Sequence, residues 1–416
     1  MSTPICIFED QFYGQLFPLA LTRPVFDLRC GVFTLKKKIT RLFPKSSISL
    51  LCRNYLSEVV QEANPDCKVN RIDEKECLFF NGRVLAEQKL VQDLDLTRER
   101  IYVHKEQIIV AFLKDDNLKK MQSLPDGTFN LDELRDLETV EVDARIVEFP
   151  WDLVNENAGE IVRDFGALNQ AGQILGQVDP GATLLNSEQI CIGEASQVKA
   201  GAVLDADAGP ILLGKGVTVM PNAVIQGPAF VGDGSTIKIG AKIYEGTAIG
   251  QVCKIGGEVE ESIIHSYSNK QHEGFLGHAY LGSWTNLGAD TNNSDLKNNY
   301  GFVKVFIDDR WVDSGCQFVG LFMGDHSKAG INTMFNTGTV VGVMSNVFGA
   351  GFPPKHIPSF AWGGSAGFVE HELEKALETA RRVMVRRKVP MSPPSEKLFR
   401  HLFHITQGDR VEWRAR

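Results

Sequence analysis

Residues 213–259 read LGKGVTVMPNAVIQGPAFVGDGSTIKIGAKIYEGTAIGQVCKIGGEV, and a step of six through them lands on one kind of residue every time. Leu213, Val219, Ile225, Val231, Ile237, Ile243, Ile249 and Ile255 are all aliphatic. Four residues after each stands a small one: Val217, Ala223, Ala229, Ser235, Ala241, Thr247, Cys253 and Val259. Glycine directly follows the aliphatic residue at 214, 232, 250 and 256. The pattern is also present upstream at Ile192, Val198 and Leu204, then slips by three residues before Leu213. It returns at Leu281 and Leu287, and more weakly at Met323, Ala329, Phe335, Val341 and Val347.

A period of six fits neither an α-helix nor a simple hairpin ladder. It fits a triangular solenoid, in which each hexapeptide supplies one short strand and one corner and three make a coil. The aliphatic residue points into a narrow core, the small residue sits at the corner, and glycine is expected to relieve the turn by accepting a positive φ. Successive coils pair backbone to backbone in a one-dimensional stack.

Working outward, residues 1–172 lack the repeat and read as an α/β domain, with strand-like runs at Ile5–Phe8, Ser47–Leu51, Cys77–Phe80 and Gln107–Leu113. Pro125-Asp-Gly is a turn signal, and residues 165–174 read as a connector. The solenoid is assigned to 173–350. Residues 351–416 form a Pro-rich loop and a helical cap, with Ser365 placed to cap a helix over about 367–388. Its apolar stripe is Val369, Leu373, Leu377, Ala380 and Met384. The basic end of that helix (Arg381, Arg382, Arg386, Arg387, Lys388) suits a helix C-terminus and reads as a solvated face before it reads as a phosphate site.

A chain of 416 residues with 43% hydrophobic content is long enough to bury large cores without staples. A net charge of −8 argues against sequence-independent nucleic-acid binding. None of the eight cysteines has CxxC spacing, which disfavours a zinc knuckle and suits a reducing compartment. The N-terminus lacks the basic start and long apolar run of a signal peptide, and no stretch approaches the length of a membrane span. A cytoplasmic protein is expected.

The regular run stops after Ile255, and three of the nine histidines (His265, His272, His278) fall in the next stretch. Function concentrates in such breaks on a rigid scaffold. Metal binding by histidines is one reading. The six-residue spacing of His272 and His278 sets them on different faces of a coil, so base catalysis is favoured over metal, and packing roles are favoured for His265 and His278.

The segment His272-Glu-Gly-Phe-Leu-Gly-His-Ala-Tyr-Leu-Gly-Ser-Trp-Thr-Asn-Leu-Gly-Ala resembles the acetyltransferase signature of the bifunctional N-acetylglucosamine-1-phosphate uridylyltransferase/glucosamine-1-phosphate acetyltransferase family. Asn298-Asn-Tyr-Gly-Phe-Val-Lys304 resembles that family's Asn-Tyr-Asp-Gly loop and lysine, and Thr22-Arg-Pro-Val-Phe-Asp-Leu-Arg29 is similar to a motif of a divergent bacterial branch. The resemblance implies a left-handed parallel β-helix behind an α/β nucleotidyltransferase-like domain. It implies acetyl-CoA-dependent N-acetylation of an amino sugar 1-phosphate, with His272 as the base. Asn286, Asn299, Tyr300 and Lys304 would bind the sugar phosphate. Acetyl-CoA would lie along Gly315 to Gly342 between neighbouring solenoids of a homotrimer. It also implies nucleotidyl transfer from UTP or dTTP with Mg²⁺ in the N-terminal domain, where Arg23 and Arg29 would meet nucleotide phosphates.

Several positions depart from the family. Tyr244 stands where an arginine grips sugar phosphate, and Glu261 and Ser262 fall near the position of a gripping lysine. The loop after the first strand has one glycine in place of a Gly-rich phosphate cradle, and Arg83 occupies the place of the metal-binding aspartate. A sugar-nucleotide-binding or scaffold protein with a degenerate N-terminal domain therefore stands as the alternative, as does a metal hydratase on the same solenoid.

Overall fold

The computed structural model describes residues 3–121, 134 and 136–414; the Pro125-Asp-Gly turn signal lies outside the described residues. The N-terminal part is a seven-stranded mixed sheet with the spatial order Lys68–Val69, Ile48–Leu51, Ile5–Phe8, Glu76–Asn81, Gln107–Lys114, Arg100–His104, Thr139–Glu141. The first four strands are parallel, and Gln107–Lys114 runs antiparallel to both of its neighbours. All four strand-like runs in the sequence are strands. The stretch read as a connector begins inside a helix, Pro150–Leu168, which starts on a proline suited to a first turn and ends at Asn169 in the left-handed conformation.

The repeat region is a left-handed β-helix of short parallel strands on three faces. The first face carries Ile211–Leu213, Ala229–Val231, Thr247–Ile249, Ile263–Ile264, Tyr280–Leu281 and Leu321–Met323. The second carries Thr218–Val219, Thr236–Ile237, Lys254–Ile255, Asn269–Lys270, Asn286–Leu287 and Lys328–Ala329. The third carries Val224–Gln226, Lys242–Ile243, Glu258–Glu260 and Phe275–Gly277. Thr218, Thr236 and Lys254 pair in register 18 residues apart, while Gln197 and Thr218 are 21 apart, which is the three-residue slip read from the sequence. The eight aliphatic residues from Leu213 to Ile255 are buried to 1% exposure or less, and so are the eight small ones. The ladder continues beyond residue 350 through His356–Ile357 and Ala361–Gly364.

The repeated glycines need a different explanation from the one expected. Gly214, Gly232, Gly250 and Gly256 do not have positive φ. A Cβ on Gly214 would lie 2.2 Å from Asp233 Oδ1, and one on Gly232 2.7 Å from the carbonyl carbon of Gly250. These glycines permit close approach of one coil to the next. The left-handed backbone falls two residues later, at Gly216, Gly234 and Val252, and in the same corner at Tyr267, Trp284 and His326. Those last three rings stack on one another, at 4.2 and 5.9 Å between centroids. Their contact offsets the cost of a positive φ in bulky residues.

The N-terminal domain lies along the first face. Outward residues Cys191, Leu212, Phe230, Ala248, Ile263, Tyr280, Phe322 and Val340 share one apolar cluster with Leu16, Val25, Leu28, Trp151, Ile161 and Phe165. An insertion between the coils of Asn286 and Lys328 forms a hairpin, Lys304–Ile307 with Arg310–Asp313, whose Val305 and Ile307 join that cluster. The cap expected as one helix over 367–388 begins as a strand, Gly367–Glu370, antiparallel to Ala361–Gly364, which leaves Val369 exposed. Helices Leu373–Val385, Pro393–Ile405 and Gln407–Arg414 follow. Leu398, Phe399 and Leu402 pack in the same core as Ile5, Ile7, Leu50, Val60 and Phe80 of the N-terminal sheet domain. Lys397 pairs with Glu58, and the Ser392 hydroxyl donates to Glu62 at 2.6 Å.

Candidate functional site

His272 is exposed in the turn joining the second to the third face, between strands Asn269–Lys270 and Phe275–Gly277. Asn286 projects from the second face one coil further on, directly beside Asn269. The corner bearing His272 touches the corner that follows Asn286, because the Asp290 N–H donates to the Glu273 carbonyl at 2.9 Å. His272 thus stands at an edge of the solenoid, and Asn286 lies on the adjoining coil of the face that leads into that edge. Ile239, Ile331 and Phe348 are exposed on the same edge. Beneath it, Lys270 fills an inward core position beside Ile255 and is 1% exposed. Its ammonium donates to the carbonyls of Gly256 at 3.0 Å and His272 at 3.2 Å, and to that of Gly274. Burial pulls the Lys270 pKa down to about 8.

Asn299, Tyr300 and Lys304 lie elsewhere. They belong to the insertion, which leaves the solenoid after the third face, and all three are exposed. Asn299 accepts from the Gly301 N–H, and the Tyr300 carbonyl accepts from Gln317. Within one chain these residues stand on a different edge from His272 and Asn286.

Thr22–Arg29 docks on the solenoid. Thr22 donates to Asp325 at 2.8 Å, and Arg23 pairs with Asp325 and reaches Ser283 at 3.2 Å. The Asp27 carbonyl lies 3.3 Å from His265 Nε2, and the Tyr280 hydroxyl accepts from the Arg29 N–H at 2.8 Å. The Arg29 guanidinium sits over Phe230 and is bonded to the Val32 carbonyl. Both arginines expected at nucleotide phosphates therefore have partners along the domain–solenoid seam. His265 is half-buried there, and its desolvation pushes its pKa well below the usual histidine range and keeps the ring neutral.

Glu9 and Asp10 follow the first strand, at the place expected for a phosphate cradle, and Arg83 stands at the place of the metal-binding aspartate. Both carboxylates are buried. Glu9 is held by Arg53 at 2.9 Å and also accepts from the backbone N–H of Val25 and Arg53. Asp10 is held by Arg83, whose guanidinium is fully buried and also donates to Gln107 and the Val147 carbonyl. Asn81 adds a hydrogen bond to Asp10 at 2.8 Å. A hard divalent cation needs open oxygen ligands; here guanidinium groups occupy them, and this arrangement does not fit Mg²⁺.

A second cluster was not anticipated. Glu261, His278 and Asp295 stand 17 residues apart, one coil each, and stack at the corner between the third and first faces. His278 Nδ1 is 2.8 Å from Asp295, its Nε2 is 3.2 Å from Glu261, and its ring stacks on Phe318 at 5.0 Å. Burial opposes the charged ring, but the hydrogen bonds to Asp295 and Glu261 outweigh it and raise the pKa to about 9. Burial, then the nearby Asp295, raises Glu260 above the usual carboxylate range. A cavity of about 560 Å³ opens here, lined by Asn155, Glu260, Glu261, His278, Cys316 and Phe318 among others. Only the coil-length spacing of Glu261, His278 and Asp295 marked this column in the sequence.

The chain joins a nucleotidyltransferase-like α/β domain to a hexapeptide-repeat, acyltransferase-like β-helix. A family described as sugar nucleotidyl transferase matches residues 5–172. The bifunctional protein GlmU of Synechococcus elongatus is similar at 28% identity over 183 residues, 39% of this chain and 36% of that protein. GlmU of Acidithiobacillus ferrooxidans is similar at 31% identity over 156 residues, 37% of this chain and 33% of that protein. The uncharacterized acetyltransferase YaiX of Escherichia coli is 24% identical over 159 residues, 38% of this chain and 67% of that protein. The chain spans about a third of the length of the GlmU proteins it matches. Among solved structures, the UDP-N-acetylglucosamine acyltransferase of Francisella novicida aligns with a TM-score of 0.30 at 15% identity, over 57% of this chain and 75% of that one. No helix among the described residues is long and apolar enough to cross a membrane.

Proposed function

We propose that the β-helix transfers an acetyl group from acetyl-CoA to the amine of an amino sugar 1-phosphate. The observation that carries this reading is the placement of exposed His272 and of Asn286 on adjoining coils of the solenoid. In the proposed step the sugar amine attacks the thioester carbonyl and His272 accepts the proton that the nitrogen loses. The tetrahedral intermediate collapses with departure of the CoA thiolate, which takes up a proton. Asn286 orients the sugar. A positioned base of this kind contributes about 10²–10⁴-fold.

The site is completed by assembly. Asn299, Tyr300 and Lys304 stand on another edge of the same chain, so they reach the His272 edge only from a neighbouring copy. A homotrimer with acetyl-CoA between solenoids, along Gly315 to Gly342, satisfies that requirement. The exposed Ile239, Ile331 and Phe348 beside His272 supply apolar surface for the contact. The first face takes no part, since the N-terminal domain covers it.

In this proposal the N-terminal domain is a non-catalytic clamp, because Arg53 and Arg83 neutralise Glu9 and Asp10 where nucleotidyl transfer from UTP or dTTP would need a metal. The test is thiol release from acetyl-CoA across a panel of hexosamine 1-phosphates, with UTP, dTTP and Mg²⁺ assayed separately for pyrophosphate. Release with one sugar, lost by 10²-fold or more in His272→Ala with the assembly intact, is the expected result. Undiminished release in that variant would remove His272 from its role.

A further inference from the structure

Among the described residues, the donor atoms of Glu260, His278 and Asp295 form a group with all members within 4.8 Å of one another. That spread suits ligands on one small cation, since donors about 2.0–2.2 Å from a common metal lie roughly 3–4 Å apart. The residues come from three successive coils, so the backbone ladder fixes their spacing independently of any ion. His278 is buried, at 8% exposure, the Asp295 side chain is 13% exposed, and Glu260 is half-buried.

The charge balance also favours a cation. Glu260, Glu261 and Asp295 surround a single imidazole, and Glu245 is close enough to act on Glu260. No lysine or arginine forms an ion pair with Glu260, Glu261 or Asp295 among the described residues. Partly buried negative charge of this kind is costly unless it is compensated. The cavity of about 560 Å³ gives an ion a way in and leaves room for water on its open side.

We propose that Glu260, His278 and Asp295 bind one divalent first-row transition-metal ion, of the Zn²⁺ and Mn²⁺ class, at the corner where the inserted loop meets the Pro150–Leu168 helix. A mixed set of one imidazole and two carboxylates favours such ions over Ca²⁺, which takes six to eight oxygen ligands. His278 Nδ1, on the Asp295 side, gives up its proton to solvent and ligates. Nε2–H continues to donate to Glu261, which acts as the carboxylate that orients a ligating histidine. No electron changes hands. Glu261 is a positioning residue and touches the ion only through the ring. The site is separate from the His272 edge and does not depend on the acyl-transfer reading.

The experiment uses the full chain, stripped with chelator, and titrates it with Co²⁺ by visible absorption and with Zn²⁺ by calorimetry. The expected result is one ion per chain, with affinity reduced 100-fold or more in both His278→Gln and Asp295→Asn and by about 10–100-fold in Glu261→Gln. Glu260→Gln, altering the most exposed ligand, gives an independent loss in a variant whose unchanged circular dichroism shows that it is folded. Absence of saturable binding overturns the proposal. So does binding that survives in folded His278→Gln or Glu260→Gln, or that is lost in His272→Ala instead.

Discussion

Replacing Lys270 with methionine separates two opposed effects inside the solenoid. The side chain sits where the repeat calls for an aliphatic residue, beside Ile255, and its ammonium bonds three carbonyls. Burial lowers its pKa from 10.5 to about 8, a drop that corresponds to about 3 kcal/mol between the charged and neutral forms. The folded value lies below the unfolded one. Between about pH 8 and 10.5 the unfolded chain therefore holds a proton that the folded chain has released, and stability rises with pH by up to about 3 kcal/mol across that window. Below pH 8 both states are protonated and the penalty is constant. Methionine removes the penalty and its pH dependence, but it leaves the carbonyls without their donor. Gly274 keeps the Glu258 N–H at 3.2 Å, so two carbonyls lose a partner, at about 1–3 kcal/mol each. Near pH 7 these changes roughly cancel, and the variant is within about 3 kcal/mol of the parent. From pH 8 to 10 the parent gains on the variant. Urea midpoints of both proteins at pH 7, 8, 9 and 10 measure this directly. Parallel curves would refute the assignment of Lys270 as a buried, destabilised cation.

Other substitutions probe the seam and the sheet domain. Arg53→Met leaves Glu9 buried without its guanidinium and is expected to cost about 3–5 kcal/mol in chemical unfolding, whereas Glu9→Gln combined with Arg53→Met costs less. Tyr280→Phe removes a hydroxyl that accepts from Arg29 N–H and donates to its carbonyl at 3.2 Å, and should lower stability by about 1–3 kcal/mol, read as a reduced urea midpoint. Gly214→Ala puts a methyl 2.2 Å from Asp233 Oδ1 and 2.9 Å from its backbone nitrogen, for a loss of about 1–3 kcal/mol, visible as a lower thermal midpoint.

The solenoid was legible because its core is one residue wide, so each inward position must be apolar and the period appears directly in the sequence. Lys270 breaks that rule, and its place in the core is not legible in the sequence because its ammonium is satisfied by backbone carbonyls of a corner, which no side-chain pattern records. The N-terminal strands were legible for a similar reason, each being a short apolar run. The helix Pro150–Leu168 was harder to read, since it buries Asn157, Glu160 and Asp164 through bonds to Gly31, Val32, Lys38 and the Gly246 carbonyl. Thr22–Arg29 was noticed as a motif, but its partners Asp325, Ser283 and Tyr280 lie more than 250 residues away. His272 and Asn286 are paired only by the resemblance of their segment to a family signature. The column of Glu261, His278 and Asp295 is legible only with a local coil length of 17, against the 18 that separates Thr218, Thr236 and Lys254.

The packing of Leu398, Phe399 and Leu402 against strands near residue 5 sets an order on synthesis. During synthesis the apolar back of the first sheet stays exposed until residues 398–402 have emerged, since they supply its covering layer. The solenoid between them can grow coil upon coil as it is made, so it forms a finished rod that carries the closing helices back to the sheet. Removal of the helices Pro393–Ile405 and Gln407–Arg414 would therefore be felt first in the sheet domain, as exposed hydrophobic surface and aggregation, while the coils remained intact.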